Sequence, residues 1–282
     1  MTLLRSLLYV PATSPRFLAK AHQRGADAVI VDLEDAVAPG EKTAAREALA
    51  SIIPQLIQGG ATVFVRVNND PERLLADAEA ACRGGAYGLL VPKVSSAATL
   101  EQLDARLSPI EQELQRSPVV FIPLIEDMRG VLGALSIAEG PRVHGLIGGG
   151  EDLATSMGAQ PTPEVLRMPK LMVHMAAKAA GIQSFGLIRT VADYQDTEAM
   201  RAAVQEAKMF GFDGATCIHP SVVSLLNEGF SPTDDELARA RRLVQAAEEA
   251  EQKGIGAFTF EGSFVDAPIV TRARALLARF DA

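Results

Sequence analysis

Eight short apolar segments recur along this chain, and no other feature constrains its fold as strongly. They cover residues 7–10, 28–33, 62–67, 88–94, 119–125, 144–147, 185–188 and 215–218. Most of them are apolar at nearly every position, which is typical of parallel strands covered on both faces. Between them lie stretches whose apolar residues recur every three or four positions, as in helices with one buried stripe. The sequence therefore predicts strands that alternate with helices.

Eight βα units in succession favour one architecture. Eight parallel strands close into a barrel without open edges, so we predict a (β/α)8 barrel, the TIM-barrel fold, over residues 1–230. A doubly wound open sheet is the competing fold. Two further helices, at 235–252 and 267–280, form a C-terminal helical extension over residues 231–282. The segment 254–265 joins these helices, and we interpret the extension as docking on the barrel or on a neighbouring subunit.

The bulk properties of the chain exclude several classes of protein. Its 282 residues suit one α/β barrel, and its net charge of −8 argues against the basic surface that nucleic acids and anionic membranes require. Cys82 and Cys217 lie far apart and indicate neither a disulfide framework nor a zinc site. No apolar run is long enough to span a membrane. We expect a cytoplasmic protein with a small-molecule ligand.

Polar side chains follow most of the predicted strands, at the point where each strand ends. They are Glu34, Asp35, Arg66, Asn68, Lys93, Glu126, Asp127, Glu151, Asp152 and His219. The carboxyl ends of parallel strands meet at one face of a barrel, where the loops that leave them form the active site. Each acidic residue alone also suits a helix N-terminus. Together they predict an active site at this face.

Glu126 and Asp152 lie one βα unit apart and are candidate metal ligands. Adjacent strands are about 4.8 Å apart, so the two carboxylates are able to converge on one ion. Two carboxylates without a nearby His or Cys select a hard cation, and we predict Mg2+, with Mn2+ as the alternative. In another interpretation Asp152 caps the helix that follows. Gly149 and Gly150 leave bare backbone that a ligand is able to approach.

Arg66 and the consecutive acids Glu34 and Asp35 are the candidate catalytic groups. Arg66 keeps its charge and suits a carboxylate or a developing enolate oxygen, with a salt bridge to Glu34 or Asp35 as the alternative role. Consecutive residues of an extended chain point in opposite directions, so we expect one of the two acids to face the pocket, and either is a candidate base. His219 is a weaker candidate, because such a histidine more often ends a strand. Lys93 is expected to stay charged among the surrounding carboxylates, which argues against a role as a Schiff-base lysine.

A set of short motifs, spread almost from end to end, matches a known family. The motifs are Arg-Ser-Leu-Leu-Tyr-Val-Pro at 5–11, Gly-Ala-Asp-Ala-Val-Ile-Val-Asp-Leu-Glu-Asp-Ala-Val at 25–37 with Lys42 and Arg46, Val-Arg-Val-Asn at 65–68, Val-Pro-Lys-Val at 91–94, Ile-Glu at 125–126, Gly-Glu-Asp-Leu-Ala at 150–154 and Ile-His-Pro-Ser at 218–221. The chain resembles the citrate lyase beta-subunit-like proteins of the HpcH/HpaI aldolase group, which includes malyl-CoA and citramalyl-CoA lyases.

The resemblance implies a (β/α)8 barrel in which Glu126 and Asp152 hold Mg2+ and Arg66 contacts substrate oxygens. It also implies that a CoA thioester binds at the barrel mouth. We take Lys42 and Arg16 as the candidate CoA contacts. The further candidate substrate contacts are Glu126, Lys93, Gly149 and Gly150.

The resemblance also implies homotrimers or hexamers in which the C-terminal region reaches a neighbour. Asp266 is similar to an aspartate that enters the adjacent subunit's site in such proteins, and it is equally a good N-cap for the last helix. Two positions depart from the family pattern: Ala12 stands where glycine is common, and residues 186–193 carry Arg189 where many members have an acidic pattern. We expect the second departure to affect which acid is accepted.

The predicted activity is an aldol-type cleavage of a 3-hydroxyacyl-CoA thioester, such as malyl-CoA, citramalyl-CoA or a citryl thioester, to an acyl-CoA and a 2-oxo acid. The first alternative is a malyl-CoA thioesterase or malate-synthase-like activity. The second is a citrate lyase beta subunit that acts on an acyl carrier protein. A non-catalytic oligomeric interaction protein is the remote alternative.

Overall fold

The structure, a computed structural model, describes residues 3–189 and 194–280. It contains a large compact unit that ends at Phe230 and a smaller unit that begins at Ser231. Across the described residues, no helix is both long and apolar enough to cross a membrane. The docking of the smaller unit on the barrel or on a neighbour remains a prediction.

The large unit is built on eight parallel strands. They are β1 (Ser6–Pro11), β2 (Ala28–Asp32), β3 (Val63–Arg66), β4 (Gly88–Val91), β5 (Val120–Ile125), β6 (Gly145–Gly148), β7 (Gln183–Phe185) and β8 (Ala215–Cys217). Their order in the sheet is β7-β6-β5-β4-β3-β2-β1-β8, and a parallel bridge between Phe185 and Gly214 joins the two ends. The predicted (β/α)8 fold is confirmed.

Helices follow the strands as the sequence predicts. They are α1 (Pro15–Ala21), α2 (Lys42–Gln58), α3 (Pro71–Gly84), α4 (Ala98–Glu113), α5 (Met128–Leu132), α6 (Ala134–Ala138), α7 (Gly150–Met157), α8 (Pro163–Ala179), α9 (Thr197–Phe210) and α10 (Ser221–Phe230). Asp70, Thr162 and Asp196 are the N-caps of α3, α8 and α9, and each side chain accepts a hydrogen bond from a backbone N–H of the first turn.

Successive residues of each strand face opposite sides, which gives the barrel two apolar layers. Ile30 of β2 and Phe64 of β3 lie in the interior cluster, whereas their neighbours Val31 and Val65 belong to the cluster between strands and helices. The same alternation continues to the strand ends, so polar residues there on the interior side face the barrel mouth.

The seventh strand differs from its prediction over residues 185–188. β7 pairs with β6 through Gln183, Ser184 and Phe185, so the strand starts two residues earlier. Gly186 has a φ of 145°, and the strand ends before it. The buried residues Leu187 and Ile188, which prompted the prediction, therefore follow the strand and lie in the loop beyond it.

The C-terminal unit pairs two helices with a hairpin. α11 (Asp234–Gln252) and α12 (Ala267–Phe280) agree closely with the prediction, but the joining segment contains the antiparallel strands β9 (Phe258–Phe260) and β10 (Ser263–Val265). Glu261 and Gly262 both have positive φ, 48° and 80°, which suits the tight turn of a two-residue hairpin. This hairpin was not predicted, because segment 254–265 was interpreted only as a connection between the two helices.

Candidate active site

A cavity of about 460 Å³ lies at the carboxyl ends of the strands in the large unit. Its walls include many of the predicted residues: Asp35, Arg66, Glu126, Gly149, Gly150, Glu151, Asp152 and Arg189. They also include residues that the sequence analysis did not single out, among them Tyr9, Asp32, Lys170 and Thr216. The predicted site face is therefore a concave pocket, as a small-molecule site requires.

Arg66 is held chiefly by Asp32, a residue that the sequence analysis missed. The strand register places the two residues opposite each other at the ends of β2 and β3. Arg66 Nε donates to Asp32 Oδ1 at 2.7 Å, and Nη2 donates to Oδ2 at 2.6 Å, which makes a bidentate pair. The signal was present in the sequence, because Asp32 lies two residues after the inward-facing Ile30.

Glu34 and Asp35 both contact the same guanidinium. Arg66 Nη1 lies 3.0 Å from Glu34 Oε2 and 3.0 Å from Asp35 Oδ2. Both acids reach Arg66 because the chain turns after β2: the Asp32 carboxylate accepts hydrogen bonds from the backbone N–H groups of Glu34 and Ala36. Asp35 is exposed and lines the cavity, whereas Glu34 is buried.

Burial controls the ionisation of these groups. It raises the pKa of Glu34 to about 7, although the positive charge of Arg66 opposes the shift. Burial lowers the pKa of Arg66, but the hydrogen bonds to Asp32 and the surrounding negative charge together outweigh burial, and the pKa rises above its ordinary value. The guanidinium lies 4.9 Å from the centre of the Tyr9 ring, and burial raises the pKa of that phenol. Arg66 is therefore a fixed cation above a neutral phenol.

Glu126, just after β5, is buried and held by the backbone of Lys93, whose N–H donates to Glu126 Oε2 at 2.8 Å. Lys93 adopts a positive φ of 54°, an uncommon conformation for a residue with a side chain. Burial raises the pKa of Glu126 to about 7; the Lys93 N–H opposes this shift, and the charges of Asp152 and Glu34 add to it. A nearby cation would therefore stabilise the ionised form of Glu126.

Gly149 packs directly against the Glu126 side chain. A Cβ atom at this position would lie 2.7 Å from Glu126 Cγ and 2.8 Å from Oε1, closer than side chains tolerate. The absence of a side chain at Gly149 therefore leaves room for the carboxylate itself, a role in addition to the predicted approach of a ligand.

The carboxylates fit the predicted metal. Glu126 and Asp152 line the same cavity, and Asp152 is exposed in the first turn of α7, where it also suits the helix dipole. Among the described residues, no group of three or more His, Cys, Asp or Glu side chains is arranged to hold a metal. Mg2+ usually takes one or two carboxylates and completes its shell with water and substrate oxygens, so two acids suffice.

Comparison with known proteins decides the family. The profile of the HpcH/HpaI aldolase/citrate lyase family matches residues 5–220. The chain belongs to this family. A (3S)-malyl-CoA thioesterase of Cereibacter sphaeroides is 36% identical over 99% of this chain and 95% of its own length. The citrate lyase subunit beta of Escherichia coli is 34% identical over 98% of this chain and 92% of its own length.

A solved structure has the same fold. The CitE protein of Mycobacterium tuberculosis, in complex with magnesium, acetoacetate and coenzyme A, superposes with a TM-score of 0.79 and 30% sequence identity. The match covers 99% of both chains. The chain therefore belongs to a family of aldolases and lyases. Its eight-stranded barrel matches the fold of the CitE structure.

Lys42 and Arg16, the predicted CoA contacts, differ in their surroundings. Lys42 Nζ donates to the backbone oxygen of Glu34 at 3.1 Å and also hydrogen-bonds Asn68 Oδ1. It therefore supports the turn that carries Glu34 and Asp35. Arg16 is exposed in the first turn of α1, where its side chain is accessible to a ligand. CoA binding by either residue remains a prediction.

The other predicted residues lie outside the main cavity. Lys93 Nζ is 3.9 Å from Glu34 Oε1, and its side chain lines a separate pocket of about 180 Å³. Asp127 caps α5, and the exposed His219 stacks on Tyr194. Asp266 belongs to the C-terminal unit, where its carbonyl oxygen accepts a hydrogen bond from Ile269 N–H.

Arg189 lines the cavity, and its backbone oxygen accepts a hydrogen bond from Lys170. Residues 190–193, the rest of the segment that departs from the family pattern, lie outside the described residues.

Proposed function

We propose that this protein is a Mg2+-dependent carbon–carbon lyase that cleaves a 3-hydroxyacyl-CoA thioester to an acyl-CoA and a 2-oxo acid. The observation that carries the proposal is the presence of Arg66, Glu126 and Asp152 on the walls of one cavity. Such a cavity offers a fixed cation for developing negative charge beside two carboxylates that suit a divalent metal.

Each residue has a separate task in this reaction. Glu126 and Asp152 would hold Mg2+, which, when bound, lowers the pKa of a hydroxyl and orients it. Asp35 is the better placed base, because it is exposed and lines the cavity, whereas Glu34 is buried. Arg66 is suited to stabilise the oxygen of a thioester enolate.

The electron flow is that of a retro-aldol reaction. Asp35 takes the proton of the substrate hydroxyl, and the C–O bond becomes the carbonyl of the 2-oxo acid. The bond between C2 and C3 breaks, and its electron pair forms the thioester enolate beside Arg66. The enolate carbon then takes a proton from an acid, for which Asp266 of a neighbouring subunit is the candidate. Acetyl-CoA or a homologue and a 2-oxo acid leave the site.

A substrate panel tests the lyase assignment. Purified protein is assayed with malyl-, methylmalyl-, citramalyl- and citryl-CoA, with Mg2+ or with EDTA, and both 2-oxo acid and free thiol are followed. We expect Mg2+-dependent 2-oxo acid without free thiol. E126Q and D152N should each lose at least about 100-fold in kcat/KM, while E164Q, which removes an exposed acid on α8, serves as the charge control. Full activity of E126Q and D152N without metal would refute the scheme.

Hydrolysis is the second candidate, and the similarity to a (3S)-malyl-CoA thioesterase favours it. In that reaction water attacks the thioester carbonyl, so free CoA appears together with the intact 2-hydroxy diacid. The same assay separates the two outcomes, because cleavage of the carbon–carbon bond leaves CoA esterified.

The thioester carrier and the assembly are further parts of the proposal. Similarity to the citrate lyase subunit beta of E. coli supports an acyl carrier protein as the alternative carrier. Protein that is inactive on every CoA ester but active on an acylated carrier would establish that alternative. We propose a homotrimer or hexamer, and sedimentation of the purified protein distinguishes these from a monomer.

A further inference from the structure

A lysine of α8 lies buried in the cavity wall. Lys170 exposes only 5% of its surface, yet it lines the main cavity. Its Cγ lies 3.4 Å from the position that a Cβ atom of Gly148 would occupy, so its aliphatic stem packs on the end of β6. The residue falls on the buried stripe of α8, with Leu166 four residues before it and Val173 three residues after it.

The ammonium of Lys170 has only neutral partners among the described residues. Nζ donates to the backbone oxygens of Leu187 at 2.8 Å and of Arg189 at 2.9 Å. No carboxylate in the described part of the chain forms an ion pair with it, and Glu151 acts on it only through its charge. An ammonium has three donors, so two carbonyls leave one donor for a ligand.

A buried charge with neutral partners is costly, and burial lowers the pKa of Lys170 to about 8. Two backbone carbonyls can be joined by a neutral amide donor without that cost. An anionic ligand in the cavity would compensate the charge, which gives a reason for a lysine at this position.

The position of Lys170 in the barrel defines where such an anion would lie. Arg66 stands at the end of β3, and Lys170 binds the segment that follows β7. In the eight-stranded order these strands are four positions apart, on opposite sides of the mouth. Glu126 and Asp152, which follow β5 and β6, lie between them in that order. A ligand that bridges Arg66 and Lys170 therefore passes the carboxylates.

We propose that Lys170 binds a second carboxylate of the substrate, so that the site prefers a 2-oxo dicarboxylic acid and the thioester made from it over a 2-oxo monocarboxylic acid. This inference rests on the proposed function for the 2-oxo acid. It adds the residue that selects among such acids.

Direct binding tests Lys170 without requiring turnover. Calorimetric titration of the full-length protein with Mg2+ compares freshly dissolved oxaloacetate with pyruvate, for wild type, K170M and K170Q. We expect wild type to bind oxaloacetate at least tenfold more tightly than pyruvate. In both variants that preference should vanish, while the affinity for pyruvate stays within threefold. K178M, two turns along the same helix, is the control, because Lys178 pairs with Asp213 outside the cavity lining.

The variants also separate binding from loop support. K170Q keeps a donor for the backbone carbonyls, so it is expected to fold if K170M does not. An equal loss of both ligands would show that Lys170 only holds the 187–189 segment, and an unchanged preference in K170Q would likewise overturn the proposal. If the preference depends on Lys170 but the substrate panel yields no 2-oxo acid, the lyase assignment fails and the Lys170 assignment stands.

Discussion

Arg66 is surrounded by more negative charge than it neutralises. Asp32, Glu34 and Asp35 all contact its guanidinium, and Glu126 is close enough for Arg66 to influence its pKa. Burial raises the pKa values of Glu34 and Glu126, and the charges of the neighbouring carboxylates add to both shifts. A divalent cation beside Glu126 would offset this negative charge, so the arginine and the predicted metal are complementary parts of one charge cluster.

Replacement of Arg66 by lysine tests the shape of the cation. A lysine keeps the charge but cannot form the two parallel hydrogen bonds to Asp32 or reach Glu34 and Asp35 at the same time. We expect R66K to lower kcat/KM by about 100-fold or more, while circular dichroism shows a folded barrel. An R66K enzyme within threefold of wild type would mean that charge alone is sufficient.

Mg2+ affinity should depend on pH. The pKa of Glu126 is raised to about 7 by burial, so below that pH the metal must displace a proton. The apparent affinity is expected to rise with pH by up to about tenfold per unit between pH 5 and 7 and then to level off. Calorimetry at pH 6 in two buffers of different ionisation enthalpy measures the released proton. E126Q should bind weakly without this pH dependence, and a wild-type affinity that is constant over this range would contradict the assignment.

At the scale of single elements, the β6–α7 turn combines two successive glycines with different surroundings. Gly149 touches the Glu126 carboxylate, whereas a Cβ atom at Gly148 would meet its nearest neighbour at an ordinary 3.4 Å. These neighbours form a matched pair for testing how the turn positions the metal ligand.

G149A should displace Glu126 and weaken Mg2+ binding by at least about tenfold, because a ligand must be held within about 0.5 Å of its productive position. G148A should change the affinity by less than threefold. Titration of both variants with Mg2+ measures the difference. Equal affinities for G149A and wild type would show that Glu126 adjusts freely and that the glycine has another role.

Among the individual elements, those defined by the spacing of apolar residues were predicted better than those defined by strand pairing. The strands and the final helices followed from apolar spacing, because burial on both faces leaves a continuous pattern. The start of β7 did not follow from apolar spacing, because Gln183 is polar and only its pairing with Gly145 makes it a strand residue. Asp32, the partner of Arg66, could have been predicted, because it faces inward two residues after Ile30. Lys170 could have been predicted from the buried stripe of α8. The turn that brings Glu34 and Asp35 together could not be predicted from the sequence pattern, because it depends on hydrogen bonds to Asp32.

For the whole molecule, the position of Asp266 in the C-terminal unit makes the proposed shared site testable by mixing subunits. D266N and E126Q are each expected to be nearly inactive. If Asp266 acts in a neighbour's cavity, co-expressed D266N and E126Q subunits form some sites with both native residues. Random assembly of equal amounts gives up to about a quarter of wild-type activity, because each site then draws its two residues from different chains.

Doubly tagged assemblies purified from that co-expression supply the measurement; because homomeric assemblies are removed, a doubly tagged trimer should keep about a third of wild-type activity. D266N subunits carrying both tags serve as the control. Activity no greater than the sum of the single variants would place Asp266 and Glu126 of the same chain together, or exclude Asp266 from the reaction.

The barrel has one seam that is weaker than the rest. Within the described residues, β7 and β8 are joined by a single bridge, from Phe185 to Gly214, whereas β1 and β2 share five residue pairs. The bonds at the seam are Gly186 N–H to Gly214 oxygen, 2.9 Å, and Asp213 N–H to Ser184 oxygen, 2.8 Å. These two amides should exchange with deuterium sooner than those of the β1–β2 ladder. Local opening of these two hydrogen bonds would widen the barrel mouth beside Leu187. A bulky product could then leave on that side while the opposite wall of the barrel stays closed.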